Sequence, residues 1–259
     1  MGDVVVTTGH RAKEGHIVKA CEAAKELSCP FVPRGGESLR GIREKYGAAF
    51  ILVVKERLVV DTADGEFYFH PGMAHLRIKN LRLGKGDHLA EAMALAPGMR
   101  VLDCTLGMGA DAIVESYVAG ERGEVVALEK NPIVSFVVSR GLKSEAGERP
   151  EVREAMGRIR TECVDYMEYL RRQPDNSFDA VYFDPMFRHP FEKSSGINPL
   201  RALADHGPVT EDAIREALRV ARFRVVMKES SQSGEFQRLG FTRWAGGKYS
   251  HVRYGVMTP

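Results

Sequence analysis

Asp184, Pro185 and Phe187 close the apolar run "DAVYFDPMF", so a carboxylate, a residue without an N–H and an aromatic ring stand together at the end of a predicted strand. In an open α/β sheet such tips are where ligands bind. A carboxylate there can hold a nucleophile. An exocyclic base amine is a weak nucleophile, because its lone pair is delocalised into the ring. An acceptor such as Asp184, with a carbonyl beside Pro185, takes both amine hydrogens and aims the lone pair at an incoming carbon. Phe187 offers a face for a flipped-out base, worth roughly 1–3 kcal/mol of stacking. A strand end capped by Asp-Pro, with Phe187 in the core, is the plainer alternative. What accompanies this tip decides between them.

A second cluster does accompany it. "VLDCTLGMGADA" puts Gly107 and Gly109 in the turn after another predicted strand, with Thr105 before them and Asp111 after. Glycines let a ligand approach the main chain, and a helix starting near Ala110 aims its free N–H groups at the turn. The next strand ends in Glu129, twenty residues after Gly109, where a carboxylate can take both hydroxyls of a ribose. Turn and carboxylate together predict an adenosine-type cofactor. Gly107-x-Gly109-x-x-Ala112 also satisfies the dinucleotide pattern, so NAD is a rival. Three features favour S-adenosylmethionine. Asp103 precedes the first glycine, where it can meet a methionine ammonium but would repel a pyrophosphate. The turn follows a separate unit rather than opening the chain. Asp165 and Tyr166, at a third strand tip, offer an acceptor for the adenine amine beside a flat ring, although Asp165 reads equally as a helix N-cap.

The elements that must position these residues follow from periodicity and turn signals. Near the N-terminus, "DVVVTT" predicts a strand and residues 11–27 a helix with Ile17, Cys21, Ala24 and Leu27 on one face. A second helix stops at Gly47, and a three-stranded meander follows. Residues 70–85 read as a basic connector carrying Arg77, Lys79, Arg82 and Lys85, and a helix begins near Asp87. Beyond it strands and helices alternate, which predicts a doubly wound, mainly parallel α/β sheet with an antiparallel strand in its C-terminal pair. The expected division is a small N-terminal α/β unit with its connector, residues 1–85, and a cofactor-binding domain, residues 86–259. The polar segment after Arg188 is long enough to act as a lid.

Composition narrows the partners. The net charge is +2, so no strong overall field drives the chain onto nucleic acid, although 25 arginines against 12 lysines suit phosphate and base recognition. The cysteines, Cys21, Cys29, Cys104 and Cys163, form no zinc-like pattern, and Cys104 reads as a small buried filler. His70, His75 and His88 match no common ligand spacing, so no metal is expected. No apolar run approaches the roughly 20 residues of a membrane span, and the N-terminus lacks a signal-peptide core. A cytoplasmic protein without a membrane partner is expected.

The motifs "LDCTLGMGADA", "ALEKNP", "FDPMF" and "VMKES", preceded by "GMAHLRIKNLRLGKGDHLAEAM", resemble in order and spacing the class I methyltransferases that methylate a guanine N2 in small-subunit ribosomal RNA (RsmJ-like). They also resemble a related group of bacterial proteins with a similar methyltransferase domain. The resemblance covers roughly residues 70–259 and implies a Rossmann-like class I fold. It implies a cofactor site at Asp103, Gly107, Gly109, Glu129 and Asp165, and an acceptor site at Asp184, Pro185 and Phe187. His75, Arg77 and Lys228 acquire substrate roles from it, and Lys79 and Arg188 are grouped with them. Two departures bear on the acceptor: Arg188 stands where those enzymes usually have proline, and the first 70 residues resemble the related group more. The expectation is therefore an S-adenosylmethionine-dependent N-methyltransferase acting on ribosomal RNA or the small subunit. Its rivals are a methyltransferase for a small molecule or protein, an NAD-dependent oxidoreductase, and a non-catalytic cofactor- or RNA-binding module.

Overall fold

The computed structural model describes residues 3–144, 148–185, 203, 207–247 and 250–259. Met186, Phe187, Arg188 and most of the segment expected to form a lid lie outside them. The described chain builds two sheets, of four and seven strands.

The smaller sheet has the order β1 (Val4–Thr8), β2 (Phe50–Val54), β3 (Leu58–Thr62) and β4 (Gly65–Phe67). The meander is as expected, with β2, β3 and β4 antiparallel to their neighbours. β1 joins it in parallel, because α1 (Glu14–Glu26) and α2 (Leu39–Tyr46) carry the chain back across the sheet. Ser38 caps α2 by accepting from the Gly41 N–H, and Gly47 ends it in the left-handed conformation. The expected buried face of α1 needs correction. Ile17 and Cys21 are exposed, and the face turned to β1 and β2 is Ala20, Ala23, Ala24 and Leu27. Small side chains let a helix lie close on a sheet, and the alanines have the i, i+3, i+4 spacing of one helical stripe.

The segment expected to connect the two halves is itself helical, as α3 (Ala74–Arg82), followed by α4 (His88–Met93) with Asp87 as its N-cap. The larger sheet runs β10 (Arg243–Ala245), β11 (Val252–Met257), β9 (Ala221–Ser230), β8 (Phe178–Phe183), β5 (Arg100–Asp103), β6 (Glu124–Glu129), β7 (Ile159–Cys163). The strands from β7 across to β9 are parallel, and β11 is antiparallel to both β9 and β10. This is the doubly wound sheet the alternation predicts.

Alternate residues serve opposite faces, as the two-residue period of a strand requires. Val101, Ala180, Tyr182 and Val226 join the core under α5 (Ala110–Ala119), α6 (Pro132–Leu142) and α7 (Pro150–Gly157). Leu102, Val181, Phe183 and Met227 join the core under α8 (Tyr166–Arg172), α9 (Glu211–Val220) and α10 (Glu235–Arg238). The first core continues beneath α1, β1 and β2 of the smaller sheet. Phe69 sits directly on Gly141 of α6, where a Cβ would come within 2.1 Å of its ring. β5 has β6 on one side and β8 on the other, so the winding reverses between β5 and β8. Ligand crevices of open α/β sheets form at such a reversal, outside the carboxyl ends of the strands.

Candidate active site

The tips of β5 and β8 are tied together by the residues that sequence singles out. Asp103 is buried, and its Oδ1 accepts the Thr105 N–H at 2.8 Å. The Thr105 hydroxyl oxygen accepts the Asp184 N–H at 2.6 Å, which bridges the two strand ends. Gly107 and Gly109 both have positive φ, 48° and 77°, the left-handed region that favours glycine. Gly109 opens α5, and Val138 and Leu142 of α6 pack behind it. Glu129 is drawn to this turn, its Oε2 accepting the Gly107 N–H at 3.3 Å and its Oε1 the Asn131 N–H at 2.8 Å. Burial pushes the Asp103 carboxyl up to about 8, with the charges of Asp111 and Asp184 adding to the effect and the Thr105 donors opposing it. Its second oxygen, Oδ2, is buried and meets no hydrogen-bond partner among the described residues. That oxygen needs a donor, and a cation would serve best.

Behind the tips runs an array of charges. Lys228, on β9, donates to Asp184 Oδ2 at 2.8 Å and to Asp111 Oδ2 at 2.9 Å. Asp111, on α5, also accepts from the Tyr182 hydroxyl at 2.9 Å and from Arg77 of α3. Arg77 reaches back to Asp87 through two bonds, Nε to Oδ2 at 2.7 Å and Nη2 to Oδ1 at 2.9 Å. Burial works against each ion, yet the partners dominate for Asp111, Lys228, Arg77 and Asp87. Asp111 is held well below the usual carboxylate range by Lys228 and Arg77, and the Lys228 ammonium is held well above its ordinary value by Asp111 and Asp184. For Asp184 burial prevails and the carboxyl is raised, although Lys228 opposes it. Among the described residues Asp184 Oδ1 has no partner, and Pro185 beside it has no N–H to compete. Among the described residues, Asp184 Oδ1 is therefore an acceptor without a donor.

The remaining predicted residues are distributed differently. Asp165 caps α8 through the Met167 N–H at 2.8 Å and also pairs with Lys130 at 3.2 Å. The Tyr166 ring meets Phe183, the residue before Asp184, edge to face at 5.5 Å. His75 and Lys79 stand apart on α3: His75 contacts Glu148 at 2.6 Å, and Lys79 is exposed. Of the four cations of the basic connector, Arg77 and Arg82 are committed to carboxylates, Asp87 and Asp111 for the first and Glu151 for the second. Phe187 and Arg188 lie outside the described residues. Sequence reasoning missed Asp87, read only as a helix start, and Tyr182, read only as part of a strand. A polar hydroxyl at a wholly buried strand position was the available signal for Tyr182.

Residues 52–242 match the model of a family described as "Putative SAM-dependent methyltransferase". The chain belongs to that family. It is a methyltransferase, and S-adenosylmethionine is its cofactor. The chain is 41% identical over 254 residues to the uncharacterized protein YpiP of Bacillus subtilis, covering 98% of both. It is 31% identical over 162 residues to the ribosomal RNA small subunit methyltransferase J of Dechloromonas aromatica, over 60% of this chain and 63% of that protein. The structure of a SAM-dependent methyltransferase from Neisseria gonorrhoeae, NGO1261, superposes with a TM-score of 0.64 at 17% identity, covering 98% of this chain and 96% of that one. This last likeness concerns the fold, and it bears out the expected Rossmann-like class I architecture. Among the described residues no helix is long and apolar enough to cross a membrane.

Proposed function

We propose that this methyltransferase modifies an exocyclic base amine, N2 of a guanine, in small-subunit ribosomal RNA. The observation that carries the reading is the β8 tip, where among the described residues Asp184 Oδ1 and the carbonyl preceding Pro185 accept no hydrogen bond, and Pro185 has no N–H. An amine with two hydrogens suits such a tip, whereas a carbonyl or carboxylate acceptor group would be repelled. The alignment with an enzyme named for small-subunit ribosomal RNA supports RNA as the substrate class.

The residues present fit the cofactor. Asp103 Oδ2 is a buried oxygen in want of a donor, at the place where the methionine ammonium would lie. Gly107 and Gly109 allow close approach of the main chain, and Glu129 stands beside them for the ribose. Asp165 and Tyr166 flank the next tip and are assigned to the adenine. Bound there, S-adenosylmethionine supplies an electrophilic methyl group on a positively charged sulfur. Asp184 orients the amine lone pair toward that carbon. On transfer a C–N bond would form as the S–C bond broke, the bonding pair staying with sulfur. The nitrogen then carries one proton too many, and the Asp184 carboxylate takes it on the way to solvent. Lys228 holds Asp184 in place and favours its ionised form, and Asp111, itself held by Arg77, fixes Lys228 from behind. Arg77 and Lys228 thus act as positioning residues rather than as direct substrate contacts.

The test is a nucleoside mass-spectrometric census of RNA from the source organism with and without this gene. Loss of one methylated guanosine is the expected result. An unchanged census overturns the RNA reading and moves the acceptor to a small molecule or protein.

A further inference from the structure

Two of the basic residues expected to hold RNA are spent on internal ion pairs, which raises the question of where an RNA strand is gripped. A cleft of about 460 Å³ opens between α1, the turn joining β2 to β3, and the second half of α6. We propose that this cleft docks a single-stranded RNA segment flanking the target base, an inference that rests on the RNA reading above.

The lining carries the argument. Lys19, Lys55, Arg57 and Arg140 are exposed around it, against Glu22 and Glu56. Among the described residues Lys19 and Arg57 pair with no carboxylate. Lys55 pairs with Glu66 at 3.9 Å and Arg140 with Glu26 at 2.5 Å, so two of the four cations are already engaged, while Glu56 lies 3.6 Å from His16. The cations left over are what a phosphate chain would neutralise. The aromatic content points to bases as well. The Arg140 guanidinium lies 3.6 Å from the Phe136 ring centroid, and that of Arg57 lies 3.7 Å from the Tyr68 centroid. Exposed arginines held over rings offer the kind of surface on which unpaired bases stack. The volume lies within the range of about 300–1,000 Å³ typical of small-ligand sites, which suits one or two splayed nucleotides and not a duplex.

Position ties the cleft to catalysis. α6 forms one wall with Phe136, Val137, Arg140 and Gly141, while its Val138 and Leu142 pack behind Gly109 of the cofactor turn. RNA held there lies behind the cofactor turn and not on the β8 tip. The cleft therefore takes a neighbouring stretch of the strand and leaves the target base free to reach Asp184.

The experiment is fluorescence anisotropy of the full chain with a 12-nucleotide single-stranded RNA over a salt series. The double variant Lys19→Ala/Arg57→Ala is compared with the surface control Arg172→Ala/Arg215→Ala, which removes the same charge. Calorimetry with S-adenosylhomocysteine checks that both variants retain the cofactor fold. Loss of two phosphate contacts should lower the slope of log affinity against log salt by about 1.4 and weaken binding at least about fivefold, with the control unchanged. Arg57→Lys should keep the slope but lose affinity several-fold, because the flat face is gone. Equal losses in both double variants, or none in either, overturn the assignment. So does stronger binding of a 12-residue polyglutamate than of RNA. If RNA binding proves independent of the cleft while the census still loses a methylguanosine, the cleft falls and the substrate stands. If the census is unchanged, the substrate reading is what has failed.

Discussion

Replacing Lys228 by methionine removes the ammonium that stands between Asp184 and Asp111, at 2.8 and 2.9 Å, and leaves the stem to fill its place. Breaking a buried ion pair from one side costs about 3–5 kcal/mol, because a charge is left without its partner. For a chain of this size that is a fall in Tm of roughly 6–20 °C. The chemical consequence is sharper. Asp184 is already raised by burial, with Lys228 the foremost opposing influence and Asp111 adding repulsion. Without Lys228 its proton is held to higher pH, and a neutral carboxyl is a poorer acceptor for the amine. Methyl transfer near neutral pH should fall about 10²–10³-fold, the usual cost of one preorganised electrostatic partner. Cofactor affinity should change by less than about threefold, since Lys228 does not touch the glycine turn. The acid limb of the rate profile should move to higher pH, and raising the pH should restore part of the activity. Tyr182, Tyr254, Asp103 and Glu229 also surround the array, so the double variant Lys228→Met/Asp111→Asn is informative. It removes the strongest repelling charge and should bring the limb part of the way back. Rates measured on RNA from the deletion strain, together with carboxyl-carbon NMR of labelled aspartate, follow the effect with and without an acceptor. A pH-independent loss of rate with the Asp184 titration unmoved would refute the reasoning.

Asp184→Ala should abolish transfer while leaving the S-adenosylhomocysteine dissociation constant nearly unchanged in calorimetry; a large loss of cofactor binding would show that the two sites are not separable. The Asp103 carboxyl, raised to about 8, is protonated at neutral pH before a cation arrives. Cofactor binding at pH 7 should therefore release close to one proton, read from binding heats in buffers of different ionisation enthalpy, and Asp103→Asn should abolish the release. The same raised value means that Asp103 contributes most to stability below the unfolded carboxylate range, near pH 4, and that this contribution declines as pH rises to about 8. Asp103→Asn should flatten that part of the stability curve in thermal melts. Gly141→Ala would place a methyl group 2.1 Å from Phe69, and overpacking of this kind typically costs about 1–3 kcal/mol. Denaturant titration should register that loss, and wild-type stability would mean that Phe69 moves aside freely.

Much of the fold was legible because the parallel sheet announces itself. Strands such as β6 are written as apolar runs, here the buried Val125–Leu128, and a helical period follows. The glycines of the proposed cofactor turn do take positive φ, as a tight turn there requires. The buried face of α1 was misread because alanine carries a weak hydrophobic signal, whereas Ile17 carries a strong one and is exposed. The basic run from Arg77 to Lys85 invited a reading as a surface patch. One-dimensional charge cannot tell that Arg77 has Asp87 ten residues away and Asp111 thirty-four residues away as its partners.

By itself, then, the sequence determined the order of strands and helices and pointed to a glycine turn and a strand tip as the candidate sites, since each of these depends on residues close together along the chain. The tertiary structure alone decided what Lys228, Asp111, Tyr182 and Arg77 do, because they come from β9, α5, β8 and α3 and meet only when the sheet has closed. It also decided that Asp103 has an oxygen without a partner, for burial is a property of the packed chain and not of any segment of it.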